Sequence, residues 1–303
     1  MKFDYECVVI GAGVSGMSAA IYLKRAEMNV CLLEKSAPGG QINKTSTIEN
    51  YPGFTGIGPD LAMKIFEQVT TLNIPYEYAD VIDIKKLESG FEIIATNKTI
   101  TSKKIILATG REPNKLNVPN EDELTGRGVS WCAICDGPLY KDKVVAVVGS
   151  GNSALEEGIY LSNICKKVIM LNRSKRFKGS KMLQSKLFEK GNVEVMYETN
   201  IQELIEKDNR LDKIIIKQQN QQEELKVEGL FIYIGFTPDT QYLENIGVLR
   251  EHNYVIVNSK LETNISGIYA CGDIIKKNYY QISNAVGEGA EAALAVIAEL
   301  EKN

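Results

Sequence analysis

Cys132 and Cys135 sit three positions apart in Trp131-Cys132-Ala133-Ile134-Cys135-Asp136-Gly137, with an acid directly behind the second thiol. Two cysteines at this spacing can close a small disulfide ring, and such pairs often hold one thiol at a lowered pKa. The segment lies just ahead of one glycine-rich dinucleotide fingerprint and well after another. The chemistry this suggests is electron transfer to or from a disulfide. The competing use of a Cys-x-x-Cys is half of a structural zinc site, which needs four ligands. The other cysteines, Cys7, Cys31, Cys165 and Cys271, are scattered, and His252 is the only histidine, so the spacing favours redox over zinc. Asp136 is a candidate general acid or base, because an attacking thiol must be a thiolate and a leaving thiolate must gain a proton. Its plain alternative is a turn residue ahead of Gly137-Pro138.

Two strand–turn–helix units must position this pair. Cys7-Val8-Val9-Ile10 reads as a buried strand, followed by Gly11-Ala12-Gly13-Val14-Ser15-Gly16 and a helical pattern through Ala19, Ala20 and Leu23. The glycines permit a tight turn and let backbone N–H groups approach a pyrophosphate at the helix N-terminus. Asn29 to Glu34 is the next strand, and Glu34 lies 23 positions after Gly11, the spacing of a carboxylate that takes ribose hydroxyls. The pattern then repeats. Lys143 to Val148 is a strand, and Gly149-Ser150-Gly151-Asn152-Ser153-Ala154 opens a helix. At the acid's position stands Asn172, followed by Arg173, Lys175, Arg176 and Lys178. Basic residues there can accommodate a 2′-phosphate, although a basic run is usually a solvated loop.

Further signals organise the chain. Lys104 to Gly110 and Leu230 to Gly235 are apolar strands that each end at a glycine with a proline three residues on. They mark two crossings between domains, near residues 111–117 and 236–243. Lys217 to Glu224 reads as a hairpin turn, Gly267 to Asp273 as a late strand, and Ile282 to Leu300 as a long helix. The expected fold class is α/β, with two Rossmann-like three-layer domains, the second inserted into the first. The first domain comprises residues 1–113 and 241–303, and the second, residues 114–240, carries the Cys-x-x-Cys. A chain of 303 residues can bury cores of that size. A net charge of −4 argues against general nucleic-acid affinity, and no apolar run is long enough to span a membrane. The N-terminus lacks a signal-peptide pattern, and isolated cysteines fit a reducing cytoplasm.

The chain resembles the low-molecular-weight thioredoxin reductases over essentially its full length. The resemblance rests on Gly11 to Gly16, Gly39-Gly40-Gln41, Glu49 to Gly53, Ala108-Thr109-Gly110, Cys132 to Gly137, Gly149 to Ala154, and Gly272-Asp273 with Gln281. It implies FAD in the first domain. By position Gly13 and Glu34 hold pyrophosphate and ribose, Gln41 and Asn50 lie near the flavin, and Asp273 and Gln281 close the site. Gly11, Ser15, Gly16, Lys35, Gly40, Thr109, Gly110, Gly272 and Ile282 complete that set. For a pyridine nucleotide the set is Gly149, Gly151, Asn152, Ser153, Arg173 and Lys178. The resemblance also implies that Cys135 receives electrons from the flavin, that Cys132 attacks the disulfide of thioredoxin, and that Asp136 moves the proton. A homodimer is expected.

The chain departs from the family at the donor site. The family's loop usually reads His-Arg-Arg and then a later Arg, where this chain has Asn172, Arg173, Ser174 and Lys178. Ahead of Gln281 the usual Arg is Tyr280, preceded by Tyr279. NADPH is the expected donor, with ferredoxin as the alternative. Two readings from other classes are a ferredoxin/flavodoxin–NADP oxidoreductase, which has no need of Cys132 and Cys135, and a non-catalytic nucleotide- or zinc-binding module.

Overall fold

Side chains alternate across a strand, so a strand covered on both faces feeds two different cores. The computed structural model describes residues 2–45, 48–219 and 221–302. Its helices are α1 (Val14–Arg25), α2 (Gly58–Thr71), the short α3 (Ala133–Asp136), α4 (Asn152–Ser162), α5 (Lys181–Phe188) and α6 (Ile282–Leu300). The chain divides into two units. One combines Met1–Asn43, Tyr51–Glu112 and Thr237–Asn303, and the other combines Lys44–Asn50 with Pro113–Phe236.

In the second unit the strands run in the order Val129–Ser130, Gly229–Ile232, Val144–Val148, Lys167–Asn172 and Val193–Tyr197, all parallel. Val145, Val147, Val168, Met170 and Phe231 pack with Ala154, Leu155, Leu161 and Leu187 of α4 and α5. The alternate residues Ala146, Ile169, Leu171, Leu230 and Ile232 pack with Ile201, Leu204, Leu211, Ile214 and Ile216. Those partners belong to an antiparallel sheet of Thr199–Lys207, Arg210–Gln218 and Gln221–Lys226. Helices, parallel sheet and antiparallel sheet therefore form three layers.

The expected turn over 217–224 is narrower than its polarity suggested. Its strands run on until Gln218 pairs with Gln221, and Asn220 lies outside the described residues. Among the described residues Gln221–Lys226 pairs with its hairpin partner alone and is exposed along most of its length, so polar side chains there mark an uncovered strand rather than a loop.

In the first unit Tyr5–Ile10 pairs in parallel with Val30–Glu34 on one side and Thr99–Leu107 on the other. Thr99–Leu107 is long enough to serve two partners on its far side. Residues 99–102 pair antiparallel with Phe91–Ile94, and 105–107 pair in parallel with Ile268–Ala270. Helices α1 and α6 pack closely, because a Cβ at Gly289 would lie 2.1 Å from the Ser15 carbonyl oxygen. Ser18 Oγ also donates to the Val286 carbonyl across this contact, at 2.8 Å. Where the chain passes between the units, Arg111–Pro113 and Phe236–Pro238 pair as a two-stranded ribbon.

Two glycines of α6 separate helix propensity from close packing. Gly287→Ala meets nothing within 4 Å and should be neutral or stabilise by up to about 1 kcal/mol. Gly289→Ala should cost about 1–3 kcal/mol by forcing α1 and α6 apart. Urea unfolding of the two variants checks the difference, and equal midpoints would contradict the packing account.

Candidate active site

The first unit gathers its candidate residues at the C-terminal ends of parallel strands, where open α/β sheets bind ligands. Gly11 follows Tyr5–Ile10, Glu34 ends the second strand, Ala108-Thr109-Gly110 follows Thr99–Leu107, and Gly272-Asp273 follows Ile268–Ala270. Backbone bonds tie these ends together: Gly11 N–H to Leu33, Ala108 N–H to Ile10, and Cys271 N–H to Leu107, at 2.7–2.9 Å. Gly11 has φ +105°, and a Cβ on Gly16 would lie 1.8 Å from its carbonyl oxygen, so the turn closes only without side chains. Ser15 is buried beneath Gly272, whose Cβ would sit 2.2 Å from Ser15 Oγ.

These residues fit a dinucleotide. Helix α1 starts at Gly13 with no side-chain cap, and the space where a Gly13 Cβ would stand is open to 4 Å. An uncapped helix start with its dipole and no side chain at Gly13 suits a pyrophosphate. Glu34 Oε2 accepts from Ala12 N–H at 2.7 Å, and Oε1 accepts from Ser36 N–H and Oγ. Three of about four acceptor positions are used, which leaves capacity for a ribose hydroxyl.

The other candidates are held by neighbours. Lys35 pairs with Asp239. Gly39 N–H donates to Ala12, and Gly40 and Gln41 open a 3-10 segment. Gln41 Nε2 donates to the Arg111 carbonyl at 2.9 Å, and Thr109 Oγ1 donates to the Asp239 carbonyl at 3.1 Å. Gln281 precedes Ile282 at the start of α6, which also lacks a side-chain cap. Asn50 lies on the exposed part of Ile48–Tyr51, in the segment grouped with the second unit.

Arg111 carries no sequence motif, yet it collects several of these residues. Its Nε donates to Asp273 Oδ2 at 3.3 Å, one guanidinium nitrogen reaches Tyr254 OH at 3.3 Å, and its Cζ lies 3.5 Å from the Tyr280 ring centroid. Tyr280, at the position of the family's usual Arg, is thus covered by a cation from another segment, while Tyr279 is exposed.

The second glycine turn repeats the first. Helix α4 begins at Gly151 with no side-chain cap and with open space around the missing Cβ. The basic loop folds back on this turn through Lys178 N–H and Gly179 N–H, both donating to Ser150 O at 2.7 and 2.9 Å. Phe177 is buried against Tyr197 and Phe188 and pins the loop. Arg173, Lys178, Asn152 and Ser153 are exposed. Asn152 Oδ1 is taken by Ser180 N–H at 2.8 Å. Asn172 is fully buried and its Oδ1 accepts from Ser174 N–H at 2.9 Å, so the two positions where the family's usual loop is lost are bonded to each other.

Cys132 and Cys135 form a disulfide with Cα atoms 5.3 Å apart, and both residues are half-buried. Cys132 caps α3, its Sγ accepting from Cys135 N–H at 3.2 Å. Ala133 N–H donates to Tyr233 OH at 2.6 Å. Burial, then the nearby Glu157 charge, pushes the Tyr233 phenol well up, so it stays protonated. Asp136 closes α3 and is buried, with Ser130 Oγ donating to its Oδ2 at 2.6 Å. The turn that is the alternative reading of Asp136-Gly137-Pro138 does not form; the segment is a helical continuation. Gly137 has φ −51° and ψ −42°, and Gly137–Tyr140 is a 3-10 segment with Pro138 in its first turn, where the fixed φ of proline extends a helix. Ser130, Tyr233, Glu157 and Arg111 gave no sequence signal, because each acquires its place by contact through space.

Comparison with known proteins agrees with this geometry. The family model described as pyridine nucleotide-disulphide oxidoreductase matches residues 5–289. The chain is 40% identical over 296 residues to the thioredoxin reductase of Ureaplasma parvum serovar 3 (strain ATCC 700970), covering 96% of this chain and 95% of that one. It is 37% identical over 295 residues to the thioredoxin reductase of Bacillus subtilis (strain 168), covering 96% and 93%. The crystal structure of thioredoxin reductase from Streptococcus pyogenes MGAS5005 matches with a TM-score of 0.94 and 35% identity, over 99% of both chains.

Glu157, on α4, has a buried Oε2 with no hydrogen-bond partner among the described residues. Burial, and secondarily the Glu156 charge, pushes its carboxyl up from 4.5 to about 7. Below pH 4.5 it is protonated in both folded and unfolded chains and has no effect. Between 4.5 and 7 the unfolded chain gains an ionisation that the folded chain resists, so stability falls, and above 7 the loss is constant. The full penalty is at most about 3 kcal/mol. Glu157→Gln should therefore raise the urea midpoint at pH 8 and leave it unchanged at pH 4. A variant with the same gain at both pH values would contradict the assignment.

Proposed function

The chain belongs to the pyridine nucleotide-disulphide oxidoreductase family, and from that premise we propose that it is a flavin-dependent thioredoxin reductase. It passes electrons from NADPH through FAD and the Cys132/Cys135 dithiol to the disulfide of thioredoxin. The observation that carries this reading is the Cys132–Cys135 disulfide, capped onto α3 with the buried Asp136 one residue on. Gly13, Ser15 and Glu34 hold the FAD diphosphate and ribose, with Gly272-Asp273 and Gln281 around it. FAD when bound supplies two-electron reduction of the ring.

The reduced pair then gives those two electrons to the partner. Cys132 thiolate attacks one sulfur of the thioredoxin disulfide, that S–S bond breaks, and the expelled thiolate takes a proton. Cys135 thiolate next attacks Cys132 Sγ, which restores the ring and releases the second partner thiolate, also protonated. Asp136, buried behind Cys135, moves these protons. The four unpaired buried cysteines fit work in the reducing cytoplasm. The enzyme acts there as a homodimer, the commonest closed assembly.

A second reading is favoured by the Asn172–Ser174 bond. That bond leaves a 2′-phosphate to the exposed Arg173 and Lys178, and ferredoxin could replace NADPH as donor.

Cys132→Ser should leave FAD bound and reducible while abolishing thioredoxin reduction; turnover by this variant would refute the dithiol route. Lys178→Ala should raise the KM for NADPH about tenfold or more and barely change that for NADH, from one lost charge-assisted contact of roughly 1.5–3 kcal/mol. Slow, non-saturating flavin reduction by millimolar NADPH beside fast reduction by ferredoxin would transfer the donor role to ferredoxin.

A further inference from the structure

One lysine lies between two carboxylates beside the late Gly272-Asp273 turn. Lys277 Nζ donates to Glu288 Oε2 at 2.6 Å and stands 3.6 Å from Asp273 Oδ1. The same Glu288 oxygen accepts the Gly272 N–H at 2.9 Å. Glu288 belongs to α6, whereas Gly272–Ile274 is the 3-10 turn that follows Ile268–Ala270. The group is largely withdrawn from water, with the Lys277 side chain 11% exposed and that of Glu288 19%. Charges so placed interact more strongly than an exposed pair, which water and salt weaken. Removing the lysine would leave two partly buried carboxylates without the cation they share.

The turn held in this way meets the first cradle. Gly272 has φ +77°, and a Cβ there would lie 2.2 Å from Ser15 Oγ. A Cβ on Gly289, the neighbour of Glu288 on α6, would lie 2.1 Å from the Ser15 carbonyl oxygen. The turn and α6 thus converge on the first turn of α1, and Glu288 ties one to the other. Asp273 is faced by a cation on each oxygen, Lys277 at Oδ1 and Arg111 Nε at Oδ2, the latter at 3.3 Å. A carboxylate has about four acceptor positions, so two cations fix its plane without exhausting it.

We propose that Lys277, held by Glu288, is a positioning residue of the FAD site, and that it aims the Asp273 carboxylate at the cofactor. The proposal rests on the assignment of Gly272-Asp273 to FAD. Lys277 acts through Asp273, so its contribution exists only while that carboxylate is present.

FAD is stripped from the purified protein and titrated back, and quenching of its fluorescence gives the Kd without any turnover. Lys277→Met keeps the stem and removes the charge, and should raise the Kd about tenfold by losing one charge-assisted contact. Asp273→Asn should weaken binding to a similar extent. Lys277→Arg keeps a cation and should restore most of the affinity. The combination of Lys277→Met with Asp273→Asn should bind no more weakly than Asp273→Asn alone, whereas a lysine that only stabilises the unit would multiply the two losses to about a hundredfold. Glu288→Gln leaves an oxygen for the Gly272 N–H but no charge for Lys277, and should raise the Kd about threefold. It decides the matter if Lys277→Met does not fold. An unchanged Kd in Lys277→Met or in Glu288→Gln, or multiplied losses in the double variant, overturns the proposal. Asp273→Asn protein that binds FAD as tightly as the unaltered chain overturns instead the cofactor role of Gly272-Asp273, so the two failures are read from different variants.

Discussion

The first N–H groups of a helix have no partner inside it, and in this protein that constraint shapes both nucleotide cradles. Helices α1 and α4 begin at the N-caps Gly13 and Gly151, neither has a side-chain cap, and the space around each missing Cβ is open. A cap would satisfy the donors and stabilise the helix by about 1 kcal/mol, but it would also occupy the place of an anion. The surrounding architecture serves to hold these starts still. Parallel strands end beside them, and Gly11 and Gly16 allow the backbone to turn inside a distance that no side chain would survive.

The redox ring is held by a different principle. A four-residue helix supplies almost no rigidity of its own. Its start is instead fixed to two hydroxyls, one reached by strand pairing at Ser130 and one by the end of Gly229–Ile232 at Tyr233. The ring is thus attached to the parallel sheet at two neighbouring strands. Its half-buried sulfurs remain at the surface of that platform. Beyond Tyr233, the unpartnered carboxyl oxygen of Glu157 shows that the platform carries buried charge chemistry not matched by hydrogen bonds.

Much of this was legible in the residues. The helix Ile282–Leu300 begins and ends where its alanine-rich pattern does, and both strand–glycine–helix units occur where the fingerprints place them. Periodicity and glycine spacing are local signals, and local structure obeys them. The alternative turn reading of Asp136-Gly137-Pro138 fails because Asp, Gly and Pro serve both turns and first helical turns, and here the chain continues as a 3-10 segment. The polar tract before Glu224 was misleading because exposure alone makes a strand look like a loop. Arg111 was invisible for a further reason. Its partners Asp273, Tyr254 and Tyr280 come from a part of the chain more than a hundred residues away, and their meeting depends on the whole of the first unit.

The long strand Thr99–Leu107 has a consequence in time as well as space. Its second half pairs with Ile268–Ala270, so the sheet that carries the first cradle closes only with residues made about 160 positions later. All of the second unit except Lys44–Asn50 lies between the two halves of that pairing. During synthesis the second unit has all of its sequence before the first has its last strand, its Gly272-Asp273 turn or α6. Until then residues 105–107 present an unpaired, apolar edge on one side. The order of assembly is therefore inverted with respect to the order of the sequence: the unit that begins the chain is the one that finishes last.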